Sequence, residues 1–334
     1  MAEKISKIHW SEVDLKQEGF EITPTLINQA LQTYWKKPGD ARQTKEYLNF
    51  DSERDGWCEG ALIGCHLDYS GIKNIHFAPA NSKLNKPLCH IDIVLRQKST
   101  GERLLSLEGK SISFGRTGWF APACIRLLLD AKDHIEVFLF GAGELAKAVI
   151  KALNADEHCK IKRIRVLSRG PSNKVLVNEF QPMMKFILEA VTDHYHLSEA
   201  DLVITAASSS FPLFAAKELA SHAVTLSLSK DDMPSDYFDS LLDNGGTIIC
   251  DDMKAMEKRN LNALALYFSR RGGKLSEAGS SAGIKNYADV IRNEATMKAI
   301  VDKGGPAHFT TVGLGSMDIA VAARIYEGLS AKYV

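Results

Sequence analysis

Apolar and polar positions follow two different rhythms along this chain, and the change falls near residue 120. Before it, Ala61–His66, Ile72–His76, Leu88–Arg96 and Arg103–Leu107 read as strands. The turns between them are Asp-Tyr-Ser-Gly, Ala-Asn-Ser and Ser-Thr-Gly, the punctuation of antiparallel pairing. Leu26–Trp35 precedes them as an amphipathic helix, and a helix over Trp119–Asp133 marks the division. Beyond it strands and helices alternate with the rhythm of a parallel sheet. Ile135–Phe140 is the first strand, Glu144–Leu153 the first helix and Ile161–Leu167 the second strand, with Leu202–Ala206, Val224–Leu228 and Thr247–Cys250 as later strands. Between Pro171 and His196 the pattern is mixed, a strand-like Phe186–Val191 following helical residues. Asp318–Leu329 is an alanine-rich helix that can run back to the first part of the chain. There is no internal repeat and no low-complexity segment.

Composition narrows the classes. A length of 334 residues, 45% of them hydrophobic, suggests two domains. Lys+Arg and Asp+Glu are equal at 41 each, so no general field favours a phosphate polymer and nucleic acid is not an expected partner. No apolar run is long enough to span a bilayer, and Met1–Trp10 has no hydrophobic core for a signal peptide, so a cytoplasmic protein is expected. The six cysteines (Cys58, Cys65, Cys89, Cys124, Cys159 and Cys250) show no C-x-x-C pair and read as reduced thiols. His194 and His196 flank Tyr195 without a third ligand nearby, so no metal is assigned.

The first candidate chemistry is the turn after Ile135–Phe140. In G-x-G-x-x-[GA] the first glycine permits a tight turn, the second lets the backbone approach a pyrophosphate, and the third small residue packs helix on strand. Gly141, Gly143 and Ala146 occupy those places, with Ala142, Glu144 and Leu145 as further cofactor-contacting positions. A strand-to-helix turn with no ligand is the competing reading; the alternating elements that follow favour a dinucleotide. At the end of the second strand stand Leu167, Ser168, Arg169 and Gly170, with no carboxylate. Arg169 can pair with a 2′-phosphate and Ser168 can donate to it, so NADPH/NADP+ is favoured over NADH/NAD+. An arginine solvated at a strand end is the alternative.

Several motifs in order along the chain then point to one family. These are Ser70–Gly71–Ile72–Lys73, Gly109 followed by Arg116–Thr117, the Gly141 fingerprint, Thr205–Ala206–Ala207–Ser208, Asp232–Met233–Pro234, and Val312–Gly313 with Asp318. With them the chain resembles the ornithine cyclodeaminase/mu-crystallin family from about Lys45 to Tyr326. The resemblance implies an α/β protein with a Rossmann dinucleotide-binding domain (121–305) inserted in an α+β substrate and dimerisation domain (1–120 with 306–334). It further implies a homodimer formed through the first domain and an active site in the interdomain cleft.

Site residues follow from the same resemblance. Lys73 and Arg116 match positions that hold a substrate carboxylate, guanidinium by two parallel hydrogen bonds and ammonium as a compact, proton-exchanging charge. From the residues alone, an ion pair for Arg116 and the wet face of a strand for Lys73 are the competing readings. Lys45 stands where the family usually has a third arginine, and a solvated charge is the alternative there. Asp232 matches a catalytic aspartate, where the binding-type mu-crystallin has serine; an ordinary turn before Pro234 competes, and a one-residue slip would promote Asp231. Thr205, Ala206, Ala207 and Ser208, together with Thr117 and Thr311, match cofactor-contacting positions. The function implied is an NAD(P)H-dependent oxidoreductase that moves hydride to or from the α-carbon of an amino or imino acid. A redox-neutral cyclodeaminase using bound NAD+ and a non-catalytic NADPH-binding protein are the alternatives.

Overall fold

A computed structural model describes residues 9–37, 41–50 and 57–332; the N-terminal stretch read for a leader lies outside them up to Ile8. The chain forms two compact units, Met1–Arg116 with Gly313–Val334, and Thr117–Val312.

In the first unit, β1 (Arg42–Phe50), β2 (Trp57–His66), β3 (Tyr69–Phe77), β4 (Cys89–Gln97) and β5 (Arg103–Glu108) form an antiparallel meander in chain order. The helix Gly315–Ala331 lies on one face of it. Two glycines allow this approach. A side chain at Gly64 would meet the Ser316 backbone nitrogen at 2.5 Å, and one at Gly71 would meet Ile319 at 2.7 Å and the Val94 carbonyl. Leu62, Ile93, Leu95 and Leu107 are buried on this face, whereas Ile63 on the other is 50% exposed.

In the second unit, β6 (Ile135–Phe140), β7 (Ile161–Leu167), β8 (Ile187–Val191), β9 (Leu202–Thr205), β10 (Val224–Ser227), β11 (Thr247–Cys250), β12 (Lys285–Asn286) and β13 (Ala307–Thr310) form one parallel sheet. Its order is β12-β11-β13-β10-β9-β6-β7-β8. The chain runs outward from β6 to β8, then returns to place β9 on the other side of β6. That reversal opens a crevice at the carboxyl ends of β6 and β9, where ligands of doubly wound sheets bind. The central strands β9, β10, β11 and β13 are buried at every position, as a parallel sheet covered on both faces requires. Two of their polar side chains meet that of Tyr237 in one cluster, with His308 Nδ1 2.7 Å from Thr225 Oγ1 and the Tyr237 hydroxyl 3.0 Å from the same oxygen. Burial pushes the His308 imidazole down to about 3, so it is neutral in the fold.

The structure departs from the sequence reading at several points. The division falls between Arg116 and Thr117 rather than after residue 120, and the second boundary lies after Val312 rather than 305, because Ala307–Thr310 inserts between β10 and β11. Trp119–Asp133 is a helix only over Phe120–Leu128, preceded by a separate helix Lys110–Gly118. Arg116 therefore sits in the last turn of a helix. The strand β1 was not expected, because Gln43 and Lys45 occupy its inward positions where alternation would require apolar residues. Gln43 faces inward because its Oε1 accepts the Ser316 hydroxyl at 2.8 Å.

Candidate active site

The glycine turn lies at the crevice. Gly141 has φ +112°, a conformation open to glycine, and a Cβ there would meet the Ala206 carbonyl oxygen at 2.5 Å. The turn after β6 and the turn after β9 are thus in backbone contact. Gly143 caps the helix Glu144–Ala155, and a Cβ on it would meet no protein atom within 4 Å. Ala146 is fully buried between helix and sheet. This is a cradle in which a pyrophosphate can reach backbone N–H groups at a helix N-terminus. Ala142, Glu144 and Leu145 belong to it through their backbone; the Glu144 side chain has Lys147 Nζ at 3.6 Å.

Past β7, Ser168 and Arg169 behave differently. Ser168 Oγ accepts from the Ser172 hydroxyl (2.9 Å) and the Asn173 amide (3.1 Å) and donates to the Gly170 carbonyl (3.2 Å), so it organises the next helix, Ser172–Phe180. Arg169 is exposed and has no ion-pair partner among the described residues.

At the end of β10 the two neighbouring aspartates separate by environment. Asp231 makes a bidentate pair with Arg270 near the surface. Asp232 is fully buried, and its Oδ1 accepts from Ser227 Oγ at 3.1 Å. Burial pushes its carboxyl up to about 6, against the lowering influence of the Thr205, Ser229 and Ser227 hydroxyls. Asp232 Oδ2 and Thr205 Oγ1 are buried without a well-formed hydrogen bond, although the Thr205 hydroxyl is near enough to lower the carboxyl; they are two polar atoms a bound ligand could satisfy. Ala206 and Ala207 follow β9 at the turn, and Ser208 beyond them is exposed. Thr311 is committed elsewhere: its Oγ1 donates to Asp251 Oδ2 at 2.5 Å, and the Val312 amide donates to the same carboxylate at 3.0 Å. Asp251, which pattern reading did not single out, pins the chain as it leaves β13. Thr117 lies in the Lys110–Gly118 helix and is half-buried.

In the first unit the structure brings Lys73 and Arg116 together around an acid. Lys73 Nζ lies 2.6 Å from Asp318 Oδ2, and Arg116 Nε donates to Asp318 Oδ1 at 3.1 Å. Lys73 also donates to Ser113 Oγ at 3.1 Å. Lys73 and Asp318 are wholly buried, and Arg116 nearly so. Gly313, at φ +70°, lies against the Arg116 guanidinium, which occupies the space a side chain would need. Lys45 lies in the same cross-strand row as Leu62 and Lys73, half-buried on the same sheet face. Asp318 has a legible signal after the fact, a carboxylate set in the otherwise apolar and small-residue first half of the helix Gly315–Ala331.

Charge in this cluster is unbalanced. Two cations share one carboxylate. Burial, then the Arg116 charge, lowers the Lys73 ammonium to about 8 despite Asp318. Burial alone would raise Asp318, but the charges and hydrogen bonds of Arg116 and Lys73 hold it below the usual carboxylate range. A second anion would complete the cluster.

The model of the ornithine cyclodeaminase/mu-crystallin family matches residues 63–333. The chain belongs to that family. It is 23% identical over 282 residues to a Delta(1)-pyrroline-2-carboxylate reductase of Bacillus thuringiensis subsp. konkukian, covering 78% of each chain. Among solved structures, it is similar to Thermococcus litoralis Delta(1)-pyrroline-2-carboxylate reductase in complex with NADH and L-proline, with TM-score 0.78 and 16% identity over 98% of this chain and 99% of the other. An archaeal alanine dehydrogenase dimer with bound NAD gives TM-score 0.77 at 16% identity, covering 98% of this chain and 97% of that one. These structural likenesses agree with a Rossmann domain joined to a separate domain. Among the described residues, no helix is long and apolar enough to cross a membrane.

Asp318→Asn is expected to destabilise the fold by about 3–5 kcal/mol, because it leaves two buried cations facing each other. Denaturant unfolding measures this loss. Adding Lys73→Met to that variant should restore part of it, and strictly additive losses would show that the two side chains are not coupled.

Proposed function

We propose that this chain is a nicotinamide-dinucleotide-dependent oxidoreductase that reduces a C=N bond next to a carboxylate, with NADPH as the preferred dinucleotide. The observation that carries the reading is the surplus buried cation. A planar carboxylate fits the charge left over by Lys73 and Arg116, and the guanidinium supplies the directional part of that grip. The named reductases among the relatives support the same bond class, since a pyrroline-2-carboxylate carries its C=N beside its carboxylate.

The cradle of Gly141–Leu145, with Ala206 and Ala207, would hold the dinucleotide, and Arg169 would hold a 2′-phosphate. When bound, that cofactor supplies the hydride. The remaining work belongs to side chains. Lys73 and Arg116 orient the substrate by its carboxylate, which replaces a bimolecular search with a fixed geometry. Asp232, protonated below about pH 6 and ionised above it, has a free Oδ2 with which to hold or give a proton at the substrate nitrogen. A protonated C=N is the more electrophilic form. Lys45 adds positive charge on the same face as Lys73.

We also infer a homodimer built on the outer face of the antiparallel sheet. Thr44, Ile63, Ile72, Val94 and Ser106 form one row across its five strands, and this row is uncharged, with Ile63 exposed and Ile72 at its centre half-buried. An apolar row of that kind is what an interface between copies requires.

Oxidation of NADPH with cyclic and linear imino acids, followed by absorbance, tests the reductase reading. Asp232→Asn is expected to lower kcat about 10²-fold or more with the fold retained. The wild-type rate should fall as pH rises through about 8, where Lys73 loses its charge; a flat profile there would remove the Lys73 charge from the chemistry. Arg169→Ala is expected to weaken NADPH binding roughly tenfold or more and leave NADH binding unchanged, read by fluorescence titration. Equal effects on the two would return Arg169 to solvent. Ile63→Glu should convert a dimer to a monomer in sedimentation, and an unchanged mass would place the interface elsewhere.

A further inference from the structure

Strand register extends the wall of the first unit beyond Lys73. Lys45, Leu62, Lys73, Ile93 and Leu107 pair in one row across the five strands, on the face that carries the Gly315–Ala331 helix. Side chains on one face recur every second residue, and directly opposed residues share a face. The next row on this face therefore holds Gly60, Ile75 and Ile91, and the one after it Cys58, Phe77 and Cys89. Enclosure falls along that direction. Lys73 is wholly buried and Ile91 nearly so, while Ile75, Cys58 and Cys89 are half-buried and Phe77 is exposed. Burial raises the Cys89 thiol, Lys73 and Lys110 pull it down and Cys58 pushes it up, so Lys73, Lys110 and Cys58 each lie near enough to act on Cys89.

Six residues on β2, β3 and β4 thus make an uncharged strip running from the buried cation toward solvent. Gly60 puts no side chain into its centre. We propose that this strip is the subsite for the substrate's side chain, and that it selects imino acids with an aliphatic chain or ring over those ending in a second carboxylate or an ammonium. The proposal rests on the reductase reading, in which Lys73 and Arg116 hold the α-carboxylate. Atoms attached beyond the α-carbon would then lie along Gly60, Ile75 and Cys58, where a charged end would lose its water and gain no opposite charge from these six residues. An aliphatic end instead buries its methylenes against Ile75, Phe77 and the two thiols. Lys110, near Cys89, makes a terminal carboxylate the rival ligand.

The test is a substrate series followed by NADPH oxidation: Δ1-pyrroline-2-carboxylate, its six-membered-ring homologue, and the methylamine imines of pyruvate, 2-oxobutyrate, oxaloacetate and 2-oxoglutarate. The proposal expects kcat/KM about tenfold or more higher for the ring and aliphatic members than for the two with a second carboxylate. Ile75→Ala and Phe77→Ala should raise KM for the ring substrates about tenfold, with KM for the pyruvate imine and the Kd for NADPH near wild type. Ile75→Val, which keeps a branched strand residue, should shift KM the same way by less. Preference for the dicarboxylic imines, or variants that impair all substrates alike, would overturn the subsite while leaving the reductase reading intact. Turnover of no imine at all would overturn the reductase reading itself.

Discussion

One buried carboxylate organises the first unit. Asp318 binds Lys73, which comes from the third strand of the meander, and Arg116, which comes from the last turn of the helix after the fifth. Three elements distant in sequence are therefore tied at a point where none of the charges is exposed. The tie depends on close packing. The helix that carries Asp318 reaches the sheet because Gly64 and Gly71 leave room for its first turns, and the Arg116 guanidinium fits because Gly313 has no side chain. Buried ion clusters gain little net stability, since desolvation offsets most of the attraction. What this one secures is geometry, with two cations held rigidly and one negative charge too few.

The second unit meets a different constraint. Its central strands are covered on both faces, so their polar groups must be satisfied from within, as His308, Thr225 and Tyr237 satisfy one another. Asp232 Oδ2, Thr205 Oγ1 and His308 Nε2 are enclosed polar atoms of this region left without a well-formed hydrogen bond, and the first two belong to neighbouring strand ends. The same burial lifts the Asp232 carboxyl toward neutral pH, where an acid can both give and take a proton. Neighbouring Asp231, with Arg270 beside it, is spent on an ion pair.

Legibility in the sequence tracked how local each feature is. The glycine turn, the strand before it and the helix after it were readable because all three depend on residues within about one turn of each other. The sheet order was not, since β13 comes last in sequence and lies between β10 and β11. Strand β1 escaped because its inward positions carry Gln43 and Lys45, polar residues that the site and the Ser316 hydroxyl accept. Ser168 suggested a phosphate donor, yet its hydroxyl is occupied by Ser172, Asn173 and Gly170. Asp318 was visible as part of a motif, but its role needed the fold to bring Lys73 and Arg116 to it.

The sequence by itself determined that a dinucleotide-type turn opens a parallel α/β unit inside a second, strand-rich one, and which residue types carry the candidate chemistry. Those properties are set by hydrophobic period, glycine placement and side-chain identity, all of which are local. Only the tertiary structure decided which aspartate is buried, that two cations share one acid, and that an uncharged strip continues the row of Lys73. Burial, charge balance and cross-strand register arise between residues far apart in the chain, and no local pattern encodes them.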